Sequence, residues 1–296
     1  MFKYQISLVF LFTCILLIAQ SNTEIFVMDL EFSENGFNVE NFKNVSNNPG
    51  YDSQPFFIDN EHIVYARTYH NQTDITKYHL KNDSQINLSE TEIGGEYSPQ
   101  KIPNSNYYAA VRLDTTGLQR LYKYDSNTKQ SSLLFENLQV AYYTFYDENR
   151  LLSSVLSGVN LDLVYSDISK KSNDTLLVKV GRSIHKVPNT MNTMSYTSVN
   201  DEGNMDIFQL DISTLESFFV SQLPVGIQDH IWLDDATLLI GSLDKLFLLD
   251  LFKNGDWKLV ADLSKYNIKD ITRLALSPDG SKLAMVAQLK PEISNK

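Results

Sequence analysis

Eight residues hold the side chains of this chain best suited to recognition chemistry. Asp52, Glu96 and Asp229 supply carboxylates, His185 and His230 imidazoles, Arg182 and Arg273 guanidinium groups, and Tyr97 a phenol. Carboxylates accept from hydroxyls or hold a cation. Arginine forks match carboxylate and phosphate geometry with paired N–H···O bonds. Histidine does either, according to pH. More specific catalytic signatures are missing. There is no Gly-x-Ser-x-Gly elbow, no His-Glu-x-x-His pair and no phosphate-binding loop, and one cysteine, Cys14, precludes a cysteine pair. The run Asn200 to Asp206 offers oxygens for Ca²⁺, but a polar hairpin turn demands the same residues. The residues therefore assign a ligand-binding set, with no catalytic residue, no metal and no cofactor.

The elements that position this set must be strands. Tyr and Phe number 16 each, and aromatics with β-branched residues favour strands over helices. A repeat is visible after each polar turn, at Ile63, Tyr107, Leu151, Met194, Leu238 and Leu283, in steps of 44, 44, 43, 44 and 45 residues. The turns include Asp59-Asn60-Glu61, Asp147-Glu148-Asn149 and Pro278-Asp279-Gly280. In the last of these Pro278 presets φ and Gly280 takes the positive φ that closes the turn. A second marker is an apolar strand ending at Asp29, His79, Asp125, Asp167, Asp211 or Asp250. More polar fourth strands are expected at Gln85–Leu88, Ser131–Phe135, Leu176–Val180 and Trp257–Ala261. Four strands in about 45 residues is the signature of a β-propeller blade.

The repeat also predicts how the ring closes. The marker at Ile25–Leu30 has no first or second strand before it, and the hairpin over 271–289 has no third or fourth strand after it. The two halves make one blade. The expected fold is all-β, a six-bladed propeller over residues 21–296, closed by pairing the N-terminal strands with the last blade. Such closure removes raw sheet edges. Each blade's first strand would line the central channel, and the eight residues above stand where those strands begin.

Composition bounds the partners. The net charge is −11 and the pI about 4.9, which excludes nucleic acid, whose phosphates require a basic face. Residues 1–20 read as a signal peptide, with Lys3 before an apolar run from Ile6 to Ala19 that is short for a bilayer span. Its removal leaves a cysteine-free chain with no disulfide framework and no membrane insertion. A monomer, periplasmic or secreted, is expected.

Ser277-Pro278-Asp279-Gly280-Ser-Lys-Leu-Ala, with the Asp-Leu strand, resembles the repeat of TolB-type propellers, which are related to WD-repeat blades. Asn48-Pro49-Gly50-Tyr51-Asp52, Gln72-Thr73-Asp74-Ile75, Glu96-Tyr97-Ser98-Pro99 and Gly181-Arg182-Ser183-Ile184-His185 are similar to a bacterial exported subgroup of that family. The resemblance covers essentially all of the mature chain. It implies a six-bladed fold and an exported location, and it carries over no catalytic residue. The function expected is non-enzymatic binding of a protein partner or small polar ligand at the channel-mouth face. The alternative is a propeller-type lyase, lactonase or glycan hydrolase using axial carboxylates and histidines.

Overall fold

A computed structural model describes residues 22–33, 36–253 and 255–291. The segment expected to be a signal peptide lies outside the described residues. Six four-stranded antiparallel sheets make the ring. Their inner strands are Asp52–Phe57, Gly95–Lys101, Val140–Phe145, Val180–Lys186, Ile231–Trp232 and Ile268–Leu276. Five blades are built from consecutive strands. The sixth pairs the C-terminal hairpin, Ile268–Leu276 and Lys282–Leu289, with the N-terminal strands Glu24–Ser33 and Gly36–Asn44. The joint is register-specific, with Phe26 opposite Met285 and Met28 opposite Leu283. Phe26, Met28, Leu283 and Met285 are all buried in one apolar cluster with Leu239 and Leu246 of the fifth blade.

The repeat markers have a local physical cause. Asp125, Asp167, Asp211 and Asp250 each end a third strand, and each Oδ1 accepts a backbone N–H two or three residues on. This is the Asx turn that starts a tight reversal. His79 does the same with Nδ1, which accepts from the Lys81 and Asn82 amides. Asp29 departs from the pattern and instead meets Lys282 across the closing joint. Gly280 has φ +73°, the left-handed conformation expected for its turn.

The outer strand of the third blade requires a correction. It runs over Ser172–Leu177, not Leu176–Val180, and Val180 opens the next blade's inner strand. The reason is Lys179, whose φ of +58° makes the reversal that an unbroken apolar run concealed. The run Asn200 to Asp206 is a hairpin turn. The Asn200 side chain accepts from the Glu202 and Asn204 amides and donates to Asp206 at 2.9 Å.

Candidate functional site

The channel wall is stitched blade to blade by the inner strands. Ser98 N–H donates to Gln54 Oε1 at 2.8 Å, Tyr143 O–H to the Ser98 carbonyl at 2.8 Å, and Thr144 Oγ1 to the Ile184 carbonyl at 2.7 Å. Five of the six inner strands carry a register break where this wall bends. Gln54, Ser98 and Asp270 sit there with φ near +55°. Such bulges re-aim side chains, here toward the axis.

One end of the channel holds a ring of aromatic and charged side chains in contact. Six residues gather there, one from each inner strand or its leading loop: Tyr51, Tyr97, Tyr142, Arg182, Asp229 and Arg273. The Tyr51 and Tyr97 rings lie 6.1 Å apart. Asp229 is gripped from both sides. Arg182 Nε donates to Oδ2 at 2.9 Å, with Nη2 on the same oxygen, and Arg273 Nη1 donates to Oδ1 at 2.8 Å. Two cations on one carboxylate leave this triad with a net charge of +1 and with guanidinium N–H groups to spare.

Above this floor the channel widens into a funnel of about 930 Å³, open toward the turns that hold Pro103, Pro188 and Pro278. Its charged lining is Lys101, Arg182, Lys186 and Arg273 against Asp229 and Asp279. A chain with 36 acidic and 25 basic residues thus lines this funnel with a cationic excess. Burial and the nearby Lys77 push the Lys101 ammonium below its ordinary value.

Beside the triad sits a polar cluster. Ser183 Oγ is 2.9 Å from His185 Nε2 and 3.2 Å from His230 Nδ1, and Ser195 Oγ is 3.4 Å from His230 Nε2. Trp232 Nε1 donates to Ser195 Oγ at 2.7 Å. The two imidazole rings meet edge to face at 4.9 Å. Burial pulls the His185 pKa down to about 4 and that of His230 well below the usual range, so both are neutral at pH 7.

Five of the eight sequence-selected residues, Arg182, His185, Asp229, His230 and Arg273, line this single funnel. The structure places the other three elsewhere. Asp52 is fully buried at the seam between the sixth and first blades, where it accepts from the Asn48 side chain and the Thr68 amide. Its neighbour Glu24 accepts from Ser46 Oγ at 2.7 Å. The next seam repeats the device. Ser89 Oγ lies 3.0 Å from Asp74 Oδ1 and 3.4 Å from Glu96 Oε2, and Tyr124 O–H donates to Glu96 at 2.9 Å. Burial raises both seam acids, Asp52 to about 6. Tyr97 belongs to the floor, against Tyr51. Ser183, Ser195, Trp232, Lys101 and Lys186 were missed from sequence. Ser183 had a signal, because it stands two residues from His185 and so shares its face of the strand.

No family model matches the sequence, and no curated protein does. Solved structures do match. A putative TolB from Agrobacterium tumefaciens superimposes with a TM-score of 0.68 at 12% identity, covering 92% of this chain and 100% of that one. TolB from Acinetobacter baumannii gives 0.58 at 12% identity over 91% of this chain and 65% of that one. A chain of the nidogen/laminin complex gives 0.59 at 9% identity, over 91% and 100%. With blade count, closure and superposition in agreement, this chain has the six-bladed fold of the TolB propellers.

Proposed function

We propose that the protein is an exported, non-enzymatic binding propeller that holds a small anionic ligand in the axial funnel. The observation that carries this is the reversal of charge. A chain of net charge −11 lines its axial funnel with four cations and two carboxylates, one of which is already neutralised by two arginines. Low-dielectric walls strengthen such a field and raise the local concentration of anions. Guanidinium N–H groups left over from Asp229 would take the oxyanion by forked bonds. The leader over residues 1–20 supports delivery to the periplasm or the exterior, and mature protein beginning at Ser21 would be its mark in a mass spectrum.

Isothermal titration calorimetry with citrate as the probe tests the reading, with spermidine at matched ionic strength as control. Citrate should bind, spermidine should not, and Lys101→Ala with Lys186→Ala should weaken citrate binding at least about tenfold, the loss of roughly 1.4 kcal/mol. Citrate heats no larger than those of spermidine would overturn it.

A further inference from the structure

The polar cluster beside the funnel has a direction, and its source is Trp232. An indole N–H can only donate. Trp232 Nε1 donates to Ser195 Oγ, so the Ser195 hydroxyl proton must find another acceptor. Ser195 is fully buried, and its remaining side-chain contact is His230 Nε2. His230 Nε2 is therefore the unprotonated nitrogen, and His230 carries its proton on Nδ1. That proton goes to Ser183 Oγ, which also receives the His230 backbone N–H at 3.2 Å. With both acceptor sites of Ser183 used, its own hydroxyl donates to His185 Nε2 at 2.9 Å, the shorter of its two available acceptors, the other being the His230 carbonyl at 3.4 Å. His185 is left with its proton on Nδ1. This nitrogen has no partner among the described residues and is not one of the buried unpaired atoms, and His185 lines the funnel.

The opposite direction fails at Ser195. It would point the Nε2 proton of His230 at Ser195, which would then accept twice and leave its own hydroxyl proton with no acceptor. A buried unsatisfied donor of this kind biases the tautomers by roughly 5- to 150-fold. The chain crosses the seam between the fourth and fifth blades three times, so both blades hold it in place.

We infer that this one-way chain, Trp232 to Ser195 to His230 to Ser183 to His185, fixes His185 as a neutral Nδ1–H donor into the funnel. The funnel floor then takes an oxyanion, with His185 adding a directed hydrogen bond to those of Arg182 and Arg273. The ligand class rests on the funnel being the binding site; the tautomer does not. Three roles follow. Trp232 and Ser195 are positioning residues that act through His230. Ser183 is a relay whose hydroxyl is committed and 2% exposed, so it is no nucleophile. His185 presents no lone pair to a metal ion.

Long-range ¹H–¹⁵N correlation on ¹⁵N-histidine-labelled protein at pH 7, without ligand, reads the tautomers directly. The expected result is a protonated Nδ1 and a bare Nε2 on both His185 and His230. A protonated Nε2 on His185 would overturn the inference whatever the funnel binds. In Ser195→Ala the constraint on His230 is lifted, and both histidines should show mixed or inverted tautomers while the wild-type fold is retained by circular dichroism. Tautomers unchanged in that variant would remove Trp232 and Ser195 from the chain of command. Adding citrate to the wild type should move the His185 Nδ1–H resonance downfield. A resonance that stays fixed while calorimetry records citrate binding would place the anion away from His185, and would sink the floor assignment but not the proposed function.

Discussion

Arg273 of the sixth blade reaches across the channel axis to Tyr142 of the third, its guanidinium carbon 5.3 Å from the ring centroid. Third and sixth blades stand opposite one another in a ring of six. A contact between them spans the channel at the level of the Asp229 ion pairs. The same guanidinium also holds Asp229, so the stacking contact and the ion pair restrain each other.

Asp229 keeps two arginines from facing each other uncompensated. Asp229→Asn should destabilise the protein by about 1–3 kcal/mol in low salt, the typical cost of leaving charged donors unpaired. Citrate should restore part of that loss and should protect the variant more than the wild type. Urea denaturation with and without citrate checks both statements.

The Asp52 seam gives a pH dependence whose sign can be worked out. Its folded pKa of about 6 lies above the ordinary value of 3.8, mainly through burial, and Glu24 also raises it while Ser46, Asn48 and Thr68 oppose. The folded state thus binds this proton more tightly than the unfolded one. The stabilisation is full below the unfolded value and is lost as pH rises through the folded one. Between pH 7 and pH 4 this group should contribute about 2 kcal/mol in favour of folding. Asp52→Asn should flatten that component. Unfolding free energies of the two proteins, differenced at pH 7, 5.5 and 4, measure it. A constant difference would refute it. Glu24, Arg67 and Tyr65 are the other titratable groups nearby.

At Gly280 an added Cβ would meet nothing within 4 Å, so only the backbone opposes substitution. Gly280→Val should cost roughly 1–3 kcal/mol, because a β-branched residue resists φ of +73°. Gly280→Asn should cost well under half of that. Equal losses for the two, read from urea midpoints, would mean that something other than φ decides.

Removing residues 22–45 leaves the sixth blade with two of its four strands and strips partners from Leu283 and Met285. The shortened protein should lose its cooperative thermal transition, followed by near-ultraviolet circular dichroism. A sharp transition at the wild-type temperature would mean that the ring does not need those strands.

The ring itself was legible because its period is enforced by chemistry that recurs. Asp125, Asp167, Asp211 and Asp250 repeat since each must cap the same turn, and the apolar strands between them repeat since each faces a neighbouring blade. The floor was half legible. Arg182, Asp229 and Arg273 announce themselves by type. Asp52 and Glu96 occupy the same repeat position, yet their strands turn them into the seams, where Ser46 and Ser89 stand ready to bond the paired acids. Repeat position gives the level along the axis; it does not say which side of a bulged strand a residue faces. Trp232 was unreadable for another reason, since its indole serves a hydroxyl 37 residues away.

The closing joint also sets an order of events during synthesis. Phe26 is among the first residues of the ring to be made, and its partner Met285 among the last. No growing chain can complete the sixth sheet before Leu289 has emerged. Until then Ile25, Phe26 and Met28 belong to a strand without a neighbour on that side. Five blades are assembled from local contacts, whereas the last step joins the two ends of the chain. Loop-closure entropy is largest in that step, because it spans nearly the whole ring. A chain held up before that hairpin therefore keeps its sixth sheet open.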